Sequence, residues 1–213
     1  MSDLPGMLVV LSGPAGVGKS TVGERLLEQH PDITRVITAT TRAPRGQEVD
    51  GVDYHFYTPE DFLREVEAGL FLEHAEVHGN LYGAPLKSVV GPMLEGKIVL
   101  AIIDVDGGAQ VRDLELDAQL LFLDPPSREA LIQRLTGRGT EEDAAVKKRL
   151  ARVERELAAG EHYHQRIVND DIDACVRDVR NAIDAARAEL AAKRDAGETL
   201  YPGLAKLPQI GKE

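Results

Sequence analysis

The chain has 213 residues, 43% of them hydrophobic and 29% charged, with 25 Lys and Arg against 36 Asp and Glu for a formal net charge of −11. That is enough apolar material for one good core, built from Val, Ile, Leu and Ala because aromatics are scarce, and it excludes a disordered chain. The acidic field excludes long anionic polymers, so no nucleic acid is expected, and no run approaches the roughly 18 apolar residues of a membrane span, so no membrane is expected either.

Residues 8–11 are apolar and rich in β-branched side chains and read as a buried strand. A Gly-rich turn over 13–18 follows, and residues 20–30 read as a helix with Val22, Leu26 and Leu27 on one face. Strand, glycine turn and helix open an α/β fold. Residues 38–57, with Pro44, Gly46 and Gly51, read as loops and small strands. Thr58, Pro59 and Asp61 then start a helix as cap, first-turn proline and capping acid, and Gly69 ends it. Residues 88–95 read as another helix.

Residues 98–103 are wholly apolar, end at Asp104 and read as a central parallel strand; 120–123, closed by Pro125 and Pro126, read as a second. Ser127 caps a helix to about 135, residues 136–143 read as a polar loop, 144–159 as a charged helix and 167–168 as a short strand. Ile172, Cys175, Val176, Val179, Ile183, Ala186 and Leu190 fall at helical spacing, which predicts a long C-terminal helix. Beyond Arg194 the pattern dissolves, and a loosely held tail is expected over 195–213. The one cysteine, Cys175, excludes an internal disulfide and reads as a small buried hydrophobe. The first residues do not resemble a signal peptide, so a cytoplasmic protein is expected.

The strongest motif is Gly13-Pro14-Ala15-Gly16-Val17-Gly18-Lys19-Ser20, which matches G-x-x-x-x-G-K-[ST] after a strand and before a helix. The glycines let backbone N–H groups wrap a phosphate, and the helix N-terminus adds positive potential. Lys19 can reach the β- and γ-phosphates, and the Ser20 hydroxyl can meet Mg²⁺. Residues Gly13 to Ser20, with Thr21, are therefore the expected ATP site. Asp104, at a strand end, reads either as a solvated acid or as a second group for Mg²⁺; the P-loop favours the metal reading. The acceptor has to be read elsewhere. Arg42 and Arg45 bracket Pro44, and Tyr54 follows, a set able to grip a monophosphate, although composition alone favours a solvated loop.

With the P-loop, this stretch resembles the guanylate kinase family, whose GMP site reads T-T-R-x-P-R, an acid, then D-G-x-D-Y-x-F. Arg42, Pro44, Arg45, Glu48, Gly51, Asp53, Tyr54 and Phe56 reproduce it. Phe71, Glu73, Gly79, Asn80, Tyr82 and Gly83 resemble a second family segment; Arg134, Gly137 to Thr140 and Lys148 to Leu150 resemble its lid; and Val168, Asn169 and Asp170 resemble its adenine-side segment. The likeness runs from about residue 8 to 190. Two positions depart from it: Ala15 stands where serine is common in the P-loop, and Ala84 where a hydroxyl usually follows Tyr-Gly, which bears on guanine affinity.

The resemblance implies an α/β P-loop NTPase fold of nucleoside monophosphate kinase type, with a parallel sheet core over 1–37, 88–136 and 150–194, a GMP-binding insertion over 38–87 and a lid over 137–149. It implies ATP:GMP phosphotransfer, with dGMP as an alternative acceptor. Arg42, Arg45, Tyr54 and Tyr82 would hold the GMP phosphate, Glu73 would read guanine, and Thr38, Glu48 and Asp106 would line the same site. Lys19, Arg42, Arg134, Arg138 and Arg149 would surround the transferring group, and Ser20 and Asp104 would hold Mg²⁺. Two other readings stay open: a non-catalytic binding module of the same fold, and a P-loop kinase for a different small molecule. A homodimer also stays open.

Overall fold

A single apolar strand organises the molecule. In the computed structural model, which describes residues 4–136 and 143–208 (without the side chains of 134–150), β1 (Met7–Ser12) has all six residues buried. Such a run suits a parallel strand covered on both faces. It pairs in parallel with β7 (Ile98–Ile102) on one side and β8 (Gln119–Asp124) on the other. Outside these lie β2 (Ile33–Arg35) and β9 (Gln165–Val168), giving a five-stranded parallel sheet in the order β2-β7-β1-β8-β9. Helices α1 (Lys19–Gln29) and α7 (Ile172–Asp195) pack on each other, and Leu26, Val176, Val179 and Ile183 join the core.

A second sheet lies within the 38–87 stretch. It runs β4-β3-β6-β5, from β3 (Ala39–Thr40), β4 (His55–Phe56), β5 (Phe71–Val77) and β6 (Asn80–Pro85). Helix α2 (Pro59–Glu67) covers it: Phe62 stacks on Phe71 with ring centroids 4.4 Å apart, a small core separate from the main one. Thr58 caps α2 by accepting from the Asp61 N–H at 3.1 Å, as the sequence implied. The β5–β6 hairpin turns on His78 and Gly79, with φ of 51° and 77°, the left-handed pair that matches strand twist.

The elements not foreseen include β2, that hairpin, and α4 (Val105–Arg112), whose two glycines mask its helical character. The remaining helices are α3 (Lys87–Leu94), α5 (Arg128–Thr136) and α6 (Asp143–Ala159). The expectation of a loosely held tail is corrected for residues 195–208. Tyr201 is buried, its hydroxyl donates to the Gly6 carbonyl, and its N–H donates to Asp117 Oδ2 at 2.8 Å. The Gly203 N–H donates to the Glu115 carbonyl at 2.8 Å within a short 3-10 turn, which carries no 3.6-residue pattern to read.

Among the described residues no helix is long and apolar enough to cross a membrane. Arg138 lies outside the described residues with the rest of 137–142 of the expected lid, as do the side chains of Arg134 and Arg149.

Candidate active site

The chain leaves β1 at Ser12, wraps through 13–18 and enters α1 at Lys19. Gly18 caps the helix with φ of 105°, and a Cβ there would lie 2.5 Å from Asn169 Nδ2, so glycine is required on both counts. The Lys19 ammonium curls back to donate to the carbonyls of Gly13 at 2.7 Å and Pro14 at 3.1 Å. Burial lowers its pKa, while the nearby charges of Glu156 and Asp104 act against that shift. Two side chains pin the loop from outside. Asn169 Nδ2 donates to the Val17 carbonyl at 2.8 Å, and Glu156 Oε2 accepts from the Ala15 N–H at 2.9 Å.

Next to the loop, β7 delivers Asp104 to the start of α4. Its Oδ1 accepts from the N–H groups of Asp106 at 3.1 Å and Gly107 at 2.9 Å, a helix N-cap. Asp106 pairs with Arg155, whose Nη2 donates to Oδ2 at 2.9 Å.

Glu73 lies across from α4. It is 9% exposed, and a bulge in β5 between Phe71 and Glu73 breaks the strand alternation and turns it inward. Burial, reinforced by the Asp104 charge, pushes its carboxyl pKa up to about 7, and a backbone hydrogen bond from Ala84 works the other way. No cation pairs with it among the described residues. Gly107 lets the two elements meet, since a Cβ there would come within 2.9 Å of Glu73 Oε2.

The third cluster belongs to the small sheet. Arg42 presents a two-pronged fork to Glu48, Nη1 to Oε2 and Nη2 to Oε1 both at 2.9 Å, and lies over the Tyr54 ring, 5.1 Å from its centroid. Tyr54 meets Tyr82 edge-on at 6.4 Å. Glu48 also accepts from the Arg45 N–H at 2.7 Å, so Arg42 and the Arg45 backbone hold its carboxyl below the usual range. Glu48 thus acts first as the partner that orients Arg42.

A phosphate loop, a buried carboxylate and an arginine–tyrosine cluster on one chain match a known family. A guanylate kinase family model matches residues 6–186. The chain belongs to the guanylate kinase family. The guanylate kinase of Corynebacterium diphtheriae is 42% identical over 184 residues, covering 85% of this chain and 96% of that protein. That of Nitratidesulfovibrio vulgaris is 44% identical over 177 residues, covering 83% of this chain and 86% of that protein. The crystal structure of guanylate kinase from Anaplasma phagocytophilum is similar at 32% identity, with a TM-score of 0.66 and 88% of each chain covered. The fold is that of a P-loop NTPase kinase.

In this guanylate kinase family member the sequence-derived residues fall into three groups. Gly13 to Thr21 form one unit at the end of β1. Glu73 and Asp104 form a second, and Arg42, Glu48, Tyr54 and Tyr82 a third. Arg45 is exposed, and Thr38 is half-buried and engaged through its carbonyl with the His55 N–H at 2.9 Å. Asp106 is held by Arg155 rather than grouped with Glu73. Sequence reading missed Glu156, Arg152 and Gly107, and it missed the role of Asn169 as an anchor for the loop. On a charged helix, Arg152 and Glu156 look like any exposed i,i+4 pair. A cleft of about 840 Å³ lies near Met7, Leu120 and Leu190 at the opposite end of the sheet and shares none of these residues.

Proposed function

We propose that this guanylate kinase family member transfers the γ-phosphoryl group of ATP to GMP, giving ADP and GDP. The observation that carries the acceptor assignment is Glu73, a buried carboxylate without a counter-ion among the described residues. Guanine offers N1–H and an N2 amino group on one edge, and a carboxylate accepts both. Adenine offers no such pair and would leave the buried acceptor unpaired, which supports strong rejection of AMP.

Residues Gly13 to Thr21 bind ATP, with the loop N–H groups and Lys19 on its phosphates. Arg42, Arg45, Tyr54 and Tyr82 hold the phosphate of GMP, Glu48 keeps the Arg42 fork oriented, and Thr38 and Asp106 border the site. An oxygen of the GMP phosphate forms a bond to the γ-phosphorus as the bond from that phosphorus to the β–γ bridging oxygen breaks, leaving ADP. Lys19, Arg42, Arg134, Arg138 and Arg149 offset the charge that spreads over the transferring group. The donor set also suits Mg²⁺: the exposed Ser20 hydroxyl and Asp104 are hard oxygen ligands, and the Asp104 cap uses only Oδ1. When bound, the ion would neutralise phosphate charge.

A coupled assay of ADP release with GMP, dGMP, AMP, CMP and UMP as acceptors tests the reading. Turnover confined to GMP and dGMP is expected. Release independent of any monophosphate would make the protein an ATPase, and GMP binding without turnover would make it a binding module.

A further inference from the structure

Six polar or charged residues are buried among those described: Ser12, Thr40, Glu73, Glu156, Asn169 and Arg187. Glu156 is 2% exposed and comes from α6, far along the chain from the loop it touches. Burying a carboxylate costs several kcal/mol unless its oxygens are well used. Here both are. Oε2 accepts from the Ala15 N–H at 2.9 Å, in the middle of the P-loop, and Oε1 accepts from Arg152 Nε at 2.7 Å. Its charge also reaches the Lys19 ammonium.

The loop is held on a second side. The buried Asn169 amide, just after β9, donates to the Val17 carbonyl at 2.8 Å. Ala15 and Val17 are therefore fixed by side chains from two different elements. A loop of this kind works by presenting N–H groups already aimed, so that no reorganisation is needed when the phosphates arrive. The ion pair does a second thing. Arg152 is bound through Nε, and its guanidinium lies in electrostatic range of Lys19 and Asp104.

We propose that Glu156 is a positioning residue of the donor site, which fixes the P-loop through the Ala15 N–H and seats Arg152 as an additional cation beside Lys19. The proposal rests on the donor-site reading above. It makes α6 a structural support of nucleotide binding, and Arg155 on the same helix extends that support to Asp106.

The test uses the full chain. Calorimetry gives the affinities for ADP and, separately, for GMP, and steady-state kinetics gives kcat and the KM for ATP and GMP, in Glu156→Ala, Glu156→Gln and Arg152→Ala. Glu156→Ala is expected to weaken ADP binding about tenfold or more, the scale of a lost charged hydrogen bond, and to raise the KM for ATP in parallel. GMP affinity should stay within about twofold. Glu156→Gln can still accept from Ala15 and should fall between wild type and Ala, while Arg152→Ala should lower kcat more than ADP affinity. If Glu156→Ala does not fold, the isosteric Gln variant carries the test, with an expected loss of about threefold or more in ADP affinity. Unchanged ADP affinity, or equal loss of ADP and GMP binding with a lowered melting temperature, overturns the proposal. A wild-type protein that binds ADP but does not phosphorylate GMP would overturn the proposed reaction, and the ADP comparison would still decide the role of Glu156.

Discussion

Gly107 and Glu73 meet so closely that a single added methyl group on the helix would strike the carboxylate: a Cβ at Gly107 would lie 2.9 Å from Glu73 Oε2 and 3.3 Å from its Cγ. The N–H of the same glycine is bound by Asp104 at 2.9 Å. One residue thus sets the distance between the acid at the end of β7 and the acid proposed to read the base. Gly107→Ala should raise the KM for GMP by about tenfold or more, since a shift of a few tenths of an ångström spoils a paired hydrogen bond, while the KM for ATP stays near wild type. Steady-state kinetics with each substrate varied in turn checks it.

The raised pKa of Glu73 gives a pH signature. The charged carboxylate is the form that accepts from guanine, and it is depleted below about pH 7. GMP affinity should therefore fall by up to about tenfold per pH unit as pH drops from 7 to 6. Calorimetric titration of GMP across pH 6 to 8.5 is the measurement, and a flat profile would contradict the assignment.

Stability should show the opposite trend. A carboxyl whose pKa is raised on folding stabilises the native state most below its unfolded value of about 4.5, and that stabilisation is lost as pH rises to about 7. Above pH 7 the native protein bears the cost of a buried charge, on the order of 3 kcal/mol. Glu73→Gln, neutral and of the same shape, should melt at a higher temperature than wild type at pH 8, with the difference shrinking towards pH 5. Paired melting curves at the two pH values test this.

Arg42 and Glu48 should behave as a unit. Lysine cannot reproduce the fork that joins Arg42 to Glu48 at 2.9 Å through both terminal nitrogens. Arg42→Lys should lower kcat/KM for GMP by about 10²-fold or more, and Glu48→Gln by less, because the arginine remains. A double-mutant cycle should give clear non-additivity.

The tail predicts a purely structural effect. Tyr201→Ala removes a buried ring and the hydrogen bond from its hydroxyl to the Gly6 carbonyl, while the backbone bond to Asp117 is kept. It should cost about 3 kcal/mol of stability, read as a lower melting temperature, with kcat for GMP unchanged below that temperature.

The P-loop and the strands on either side were legible in the sequence because a continuous apolar run followed by fixed glycines has few other solutions. The arginine–tyrosine stretch was legible through its likeness to a family, and the structure then added that Glu48 and Arg42 pair. The inward turn of Glu73 was not readable, because it depends on a bulge that breaks the strand's two-residue period. Glu156 was hidden for a different reason: helical spacing gives its partner on the same helix, Arg152, but not the P-loop amide from a distant segment. Helix α4 was concealed by Gly107 and Gly108, whose missing side chains are the reason it can approach Glu73 and Tyr163.

The most direct test of the account is the ratio of kcat/KM for GMP to that for AMP, measured at pH 8 for wild type and Glu73→Gln. The account predicts a wild-type ratio of about 10⁴ or more, falling by at least about 10²-fold in the variant, with the KM for ATP little changed. Equal use of GMP and AMP by wild type, or an undiminished ratio in Glu73→Gln, would contradict it.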